Sequence, residues 1–423
     1  MKFSRFVAAT LLSLSGYAHA TFHEWRIDQI YSNADGTIQY IVLVALASGQ
    51  EFINNHDIAV TQGGTTHRYT FTKSLAGDTA VTTSGPYGGM TGSFKSLLLA
   101  TQGFANLNVV TPDYILPDGF LFTTGGGSIV WAGGYDTFTY TTIPMDGSKA
   151  LFRAGNVAYN APQNFIGDMG QISPTYQGLW WNGIVENGWG INLTQQGSTL
   201  FATWFTYDTD GSPLWVVMTD GEPSGNNAFS GTLYTTSGPS FSSYDASKFV
   251  ITPVGTGTFT FTDASNGSFS YTLKGVTQTK TITRQVYGTS PGLCMEQGTP
   301  GTNYQDLWWH GATENGWGMN LIQQSNIIFA TWFTYDTNGK GMWVVMSDGE
   351  QTAANTWSGD LYTTSGPRFD AYDASKFAIT KVGTGSFTFT DPSNGTFTYT
   401  LKGVTQTKTI TRQVYASPTS ICR

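Results

Sequence analysis

The stretch GLWWNGIVENGWGINLTQQGSTLFATWFTYDTDGSPLWVVMTDG, residues 178–221, returns at residues 306–349 as DLWWHGATENGWGMNLIQQSNIIFATWFTYDTNGKGMWVVMSDG. Trp180 aligns with Trp308, Glu186 with Glu314, Lys280 with Lys408 and Cys294 with Cys422, every pair 128 positions apart, so the two copies keep one ungapped register. The chain carries a tandem duplication, and one reading of strands serves both copies.

Each repeat, 175–288 and 303–416, reads as a run of eight short strands. In the first copy they lie near GWGINLTQ, STLFATWFTYD, PLWVVMTDG, FSGTLYTTS, KFVITPVG, GTFTFTD, GSFSYTLKG and VTQTKTITRQVY. Phe259 and Phe261, then Phe269, Tyr271 and Leu273, alternate with Ser, Thr and Lys neighbours, the period-two pattern of a strand with one buried face. Asp210-Gly211 and Asn266-Gly267, with their counterparts Asn338-Gly339 and Asn394-Gly395, are the residue pairs that tight hairpin turns with positive φ demand. Antiparallel strands joined in this way most simply close into an up-and-down barrel, which removes exposed edges; an open sandwich is the alternative.

Upstream of the repeats, residues 21–160 form a different region with its own strand candidates: RIDQIYS, TIQYIVLVAL, HRYTFTK, KSLLLAT, GFLFTT, SIVWAG and DTFTYTTI, separated by Gly-rich punctuation. Gly-, Pro-, Ser- and Thr-rich linkers over 161–174 and 288–303 part the three units. The expected fold class is all-β: an N-terminal β-sandwich followed by two tandem, duplicated antiparallel eight-stranded barrel-like (or sandwich) domains.

Residues 1–20, MKFSRFVAATLLSLSGYAHA, place Lys2 and Arg5 ahead of a short apolar run and close on Ala-His-Ala, the pattern of a signal peptide cleaved near Thr21. No later run approaches the roughly eighteen apolar residues of a transmembrane helix, so an exported chain without a membrane span is expected, extracellular or periplasmic. The formal net charge is −8, and Lys2 and Arg5 leave with the leader, a balance that argues against a nucleic-acid partner held by a basic field. Charged residues make up only 11% beside 51 Gly, and β-branched and aromatic residues suit pleated surfaces while Gly and Asn serve turns. The two Cys fall at matched ends of the repeats, which in an oxidising compartment predicts a Cys294–Cys422 disulfide, with free thiols or an interchain bond as the alternative.

IDQIYSNADGTIQYIVL, LLLATQGF and YDTFTYTTIPMDGSKALFR resemble the lamin-tail-like β-sandwich of secreted bacterial proteins, although Val42 stands where such modules often have an acidic residue. That resemblance implies an Ig-like interaction or accessory domain without a catalytic site. The repeat, with its GWG, FATWFTYD and K-x-I-T-R-Q elements, resembles a Trp-rich unit that recurs in secreted proteobacterial proteins and brings no established activity with it. Its length and GLWWN opening are weakly similar to avidin-like and lipocalin-like barrels, with no ligand motif to transfer.

Five Trp recur at matched positions: Trp180, Trp181, Trp189, Trp204 and Trp215 with Trp308, Trp309, Trp317, Trp332 and Trp343. Their rings either fill the barrels or offer flat faces on which sugar rings stack. Trp180 and Trp181 cannot both point inward from an extended segment, so one of each pair is the candidate exposed ring. Glu186 and Glu314, in the ENGWG loop, are placed to accept hydrogen bonds from ligand hydroxyls, or else serve the turn. The candidate ligand-binding set is Trp180, Trp181, Glu186 and Trp189 with Trp308, Trp309, Glu314 and Trp317.

Lys280 and Arg284, with Lys408 and Arg412, share one strand face; a solvated face is expected, and an inward pair would bind an anion or meet Glu186 and Asp220. Asp208 and Asp263 sit in short Gly-containing loops with too few oxygen ligands for calcium, which makes them turn residues. His310 aligns with Asn182, so neither a His-based triad nor a duplicated zinc site is available in the repeats, and no catalytic residue, metal or cofactor is assigned. These features point to a secreted non-enzymatic protein that binds a glycan or another surface component. A structural scaffold with buried Trp and a polysaccharide or cell-wall hydrolase are the alternatives.

Overall fold

A computed structural model describes residues 22–33, 36–80, 95–145, 147–172, 174–225, 227–288, 293–295 and 303–422. The proposed leader and parts of the second linker lie outside these residues. The fold is all-β, as expected: an N-terminal pair of sheets followed by two closed eight-stranded antiparallel barrels.

In the N-terminal unit a six-stranded sheet runs in the order Val157–Tyr159, Lys149–Phe152, Trp25–Ser32, Gln39–Ala45, Ser96–Thr101, Tyr114–Leu116. A four-stranded sheet, Thr65–Thr70, Asp57–Gln62, Gly127–Trp131, Asp136–Tyr140, packs on it. Trp25, Ile41 and Leu99 of one sheet meet Ile58, Ile129 and Trp131 of the other in one core, the arrangement of a β-sandwich. GFLFTT, expected as a strand, is a loop. Phe120 and Leu121 still plug the core, but the Leu121 backbone is satisfied by the Gln39 side chain, which donates to its carbonyl at 2.8 Å and accepts from its N–H at 2.9 Å. One buried amide replaces the strand ladder there.

The first barrel runs Gly178–Trp181, Gly190–Gln196, Thr199–Tyr207, Pro213–Gly225, Ala228–Ser237, Val250–Phe261, Asn266–Leu273 and Val276–Arg284, and closes where Trp180 and Trp181 pair with Arg284 and Thr283. The second repeats this from Asp306–Trp309 to Val404–Arg412. Eight strands were expected, but they are not the same eight. KFVITPVG and GTFTFTD form a single strand, which turns its corner at Gly255, where a Cβ would stand 1.8 Å from the Thr272 carbonyl oxygen. The missing strand is GLWW itself.

The turns differ as well. Asn266-Gly267 begins a strand instead of making a hairpin, while Lys274-Gly275 and Lys402-Gly403 make two-residue turns with positive φ at both positions. Asp210-Gly211 and Asn338-Gly339 do lie in hairpin loops, with only the glycine at positive φ. Inside, Phe259, Phe261, Phe269, Tyr271 and Leu273 are buried as their alternation requires, while Thr277, Thr279 and Thr281 on the opposite face of the last strand are exposed.

The two barrels form a symmetric pair, not beads on a flexible linker. Phe205, Tyr207, Trp215 and Val217 on the outside of the first pack against Phe333, Tyr335, Trp343 and Val345 on the outside of the second. The Trp215 indole donates to the Thr334 carbonyl at 3.2 Å and Trp343 to that of Thr206 at 3.3 Å; Tyr207 donates to Thr364 and Tyr335 to Thr236. Contact i-to-j answered by j-to-i is the signature of an isologous interface, here within one chain. The Cys294–Cys422 disulfide joins the two repeat ends, flanked by Gln305 and Gln177, and Leu293 and Met295 carry it onto the outer face of the six-stranded sheet.

Candidate functional site

The five Trp pairs divide into four structural groups. Trp180 and Trp308 are fully buried inside the barrels; each indole donates to a backbone carbonyl, of Tyr176 or Tyr304 at 2.9 Å, and each ring lies against a guanidinium, of Arg284 or Arg412. Trp204 and Trp332 also belong to the barrel cores, and Trp215 and Trp343 to the seam between barrels. Trp189 and Trp317 are buried at the barrel mouths. Only Trp181 and Trp309, which point out of the wall, are partly exposed. The alternation argument thus selects the second ring of each WW pair.

Glu186 and Glu314 stand at the mouths, each at the end of a short 3-10 turn. The Glu186 carboxylate accepts from the Trp189 indole at 2.9 Å and from the Lys280 ammonium at 2.8 Å, and Lys280 lies 4.9 Å over the Trp189 ring. Glu314, Trp317 and Lys408 repeat the arrangement. Lys280 and Arg284 are therefore not a solvated face. They share the strand face of Gln278 and Ile282, and Ile282 is core, so parity turns the whole row inward. Among the described residues the ion-pair partner of Lys280 is Glu186 and not Asp220.

Each mouth is closed by the other repeat. Phe369 lies in the core of the first barrel and Phe241 in that of the second. Tyr271 donates to the Phe369 carbonyl at 2.9 Å, and Tyr372 reaches the Asn187 carbonyl in the ENGWG loop. These loops were missed in the sequence. Their signal was an aromatic pair, Phe241 and Tyr244 or Phe369 and Tyr372, held at matched positions in otherwise polar segments.

At the other end of the barrels the repeats differ. Arg412 pairs with the buried Asp306 at 2.9 Å and also donates to the Asn303, Gln305 and Pro392 carbonyls. Burial raises the Asp306 carboxyl above its ordinary range, with Arg412 opposing. The first repeat has Gly178 at that position, so among the described residues Arg284 donates to the Gln177 and Thr175 carbonyls alone, and burial lowers its guanidinium to about 10, still charged at neutral pH.

His310, in the place of Asn182, packs near the Trp317 ring and lies 3.8 Å from Glu314. Asp208 and Asp263 are occupied by their own turns: Asp208 accepts from the Thr209 N–H, and Asp263 from the Ser265 N–H and the Asn266 side chain. Among the described residues no three metal-ligating side chains come together.

Trp181 borders a groove of about 210 Å³ along the seam. Leu179, Trp181 and Phe205 come from the first repeat; Phe329, Trp343, Phe377 and Ile379 come from the second, so neither repeat makes the groove alone. Gln285, Thr331, Ser347 and Thr364 interleave hydroxyl and amide groups with the aromatic wall. An aromatic wall with a few convergent polar groups is the usual make-up of a small-molecule site. No family model, curated protein or solved structure matches this chain.

Proposed function

We propose that the chain is a secreted, non-enzymatic binding or adhesion protein whose barrel pair holds a glycan or another surface component. The observation that carries this reading is Trp181, a large aromatic ring left partly exposed in a composite groove where nearly all its fellows are buried. A Trp face stacks on the C–H face of a sugar ring while neighbouring hydroxyl and amide groups take the ring's edge. Isologous packing places Trp309 at the matched position of the second barrel, so two weak contacts on one chain would act together. Export to the periplasm or the medium belongs to the proposal. It is supported by the disulfide, by the secretory pattern of residues 1–20, and by outward rows of Thr where a membrane barrel would be apolar; among the described residues no helix is long and apolar enough to cross a membrane. The likeness of the first domain to lamin-tail-like sandwiches fits an accessory role in attachment.

A second reading, an extracellular scaffold, is favoured by one observation: four of the five Trp pairs are buried as barrel core, mouth or seam. A glycan and polysaccharide panel, read with the intact protein and a Trp181→Ala/Trp309→Ala variant, separates the two. The binding reading expects retention of at least one polymer, lost in a variant that melts normally. Absence of binding across the panel overturns it and leaves the scaffold.

A further inference from the structure

Behind the Trp181 groove lies a polar cluster that the fold itself does not satisfy. Asn192 pairs with Thr203 across neighbouring strands of the first barrel, and Asn320 with Thr331 across the same strands of the second. All four face the seam and are at most 2% exposed. A single hydrogen bond links the two repeats here, from the Asn192 amide to the Thr331 hydroxyl at 3.3 Å. The Asn192 carbonyl, the Thr203 hydroxyl and both amide atoms of Asn320 have no partner among the described residues. Buried polar groups are ordinarily paired, and an amide left unpaired at both ends is costly enough to demand an explanation. Thr331 is the connection, since it both bonds Asn192 and lines the groove.

Resting on the glycan reading above, we infer that this cluster reaches the groove through Thr331 and that the groove takes one neutral pyranose ring, flat against Trp181, with a hydroxyl edge turned toward Thr331 and coupled through it to Asn192. Three features of the site choose that ligand class. The polar groups that line the groove, the Thr331, Ser347 and Thr364 hydroxyls and the Gln285 amide, can both donate and accept, and a hydroxyl complements both kinds, whereas a carboxylate only accepts. Among the described residues no charged side chain lines the groove, so none of them compensates the desolvation of an ionic ligand. At about 210 Å³ it is smaller than the roughly 300–1,000 Å³ clefts that enclose drug-sized ligands, which matches a single ring with the rest of a chain left outside.

The two ends of the cluster are not equivalent. Turn residues Ile184 and Val185, next to Trp181, are 80% and 70% exposed, whereas the matched residues next to Trp309 are Ala312 and Thr313, with His310 in place of Asn182. The Trp181 end is the more apolar, and the inference assigns the tighter site to it.

The test uses the intact protein and titrates methyl β-D-glucopyranoside, methyl β-D-galactopyranoside, methyl α-D-mannopyranoside and D-glucuronate, read by tryptophan fluorescence and saturation-transfer NMR. The expected result is saturable binding of at least one neutral glycoside, at least tenfold tighter than glucuronate. Trp181→Ala abolishes it, and Thr331→Val and Asn192→Asp weaken it about tenfold or more. Thr331→Val is nearly isosteric but removes the acceptor of the Asn192 amide, so a melting temperature within a few degrees of the parent is what makes its loss of binding interpretable. If polymers bind through Trp181 but no monosaccharide saturates, or if glycoside affinity is unchanged in both the Thr331 and Asn192 variants, the cluster holds ordered water only and the inference falls while the glycan reading stands. If neither polymers nor glycosides bind, both fall.

Discussion

The hydroxyl of Tyr271, inside the first barrel, donates at 2.9 Å to the backbone carbonyl of Phe369, a residue of the second repeat; Tyr399 returns the contact to Phe241 at 3.0 Å. Each barrel is thus stoppered by a loop of the other. The two repeats fold against each other, and the candidate groove exists only because both contribute to it.

Removing a stopper should be felt as a core deletion. Phe369 is 2% exposed, and Phe369→Ala is expected to lower stability by about 3–5 kcal/mol in urea unfolding, the range for buried aromatic truncations. A loss below about 1 kcal/mol would mean that the loop rests on the barrel without filling it.

The disulfide closes a loop spanning 128 positions, for which the chain-entropy account gives about 4–5 kcal/mol. Reduction should lower the melting temperature, yet the barrels should stay docked, because the Trp215 and Trp343 seam is independent of the sulfurs. Calorimetry is expected to retain one joint transition for the two barrels. Two separated barrel transitions after reduction would contradict the seam's role.

Asp306→Asn strips the charge from a buried pair but leaves Arg412 its three backbone carbonyl partners. The expected cost is about 2–3 kcal/mol, below the roughly 3–5 kcal/mol of a buried cation left with nothing. Equilibrium unfolding reads it directly. A neutral result would show that Arg412 is as self-sufficient as Arg284, which has no carboxylate opposite.

One pH effect follows from the N-terminal sandwich. The Asp113 carboxyl accepts from the Leu98 and Phe165 N–H groups, but burial dominates and raises it from 3.8 to about 6. Between those values the native state holds a proton that the unfolded chain has released. The contribution is present below about pH 4 and is lost as pH rises through 6, amounting to about 3 kcal/mol at most. Wild type should therefore lose stability from pH 4 to 7 relative to Asp113→Asn, as followed by scanning calorimetry; parallel curves would exclude the assignment.

Much of this architecture was legible in the chain. The constant offset of 128 exposed the duplication, the alternation through Phe259 to Leu273 gave the inward face, and the matched Cys predicted the disulfide. GLWW escaped as a strand because four residues without polar alternation carry no period. Lys280 and Arg284 were placed outward because charge was weighed above parity, although Ile282 between them already marked the core face. The stoppers and the seam were harder. They are set by which outer faces meet, and a strand apolar on both faces, such as LFATWFTY, does not say whether its second face meets lipid, ligand or another domain. The asparagines of the seam read as ordinary strand residues until both repeats are docked.

The most direct measurement is residue-level oxidation of tryptophan in the native protein, mapped by mass spectrometry. Trp181 and Trp309 are expected to react first in their repeats, with Trp180, Trp189, Trp204, Trp215 and their counterparts protected, and a bound glycoside should slow Trp181. Protection of Trp181 and Trp309 to the same degree as Trp180 and Trp308 would contradict the account, because no aromatic face would then be open to a ligand.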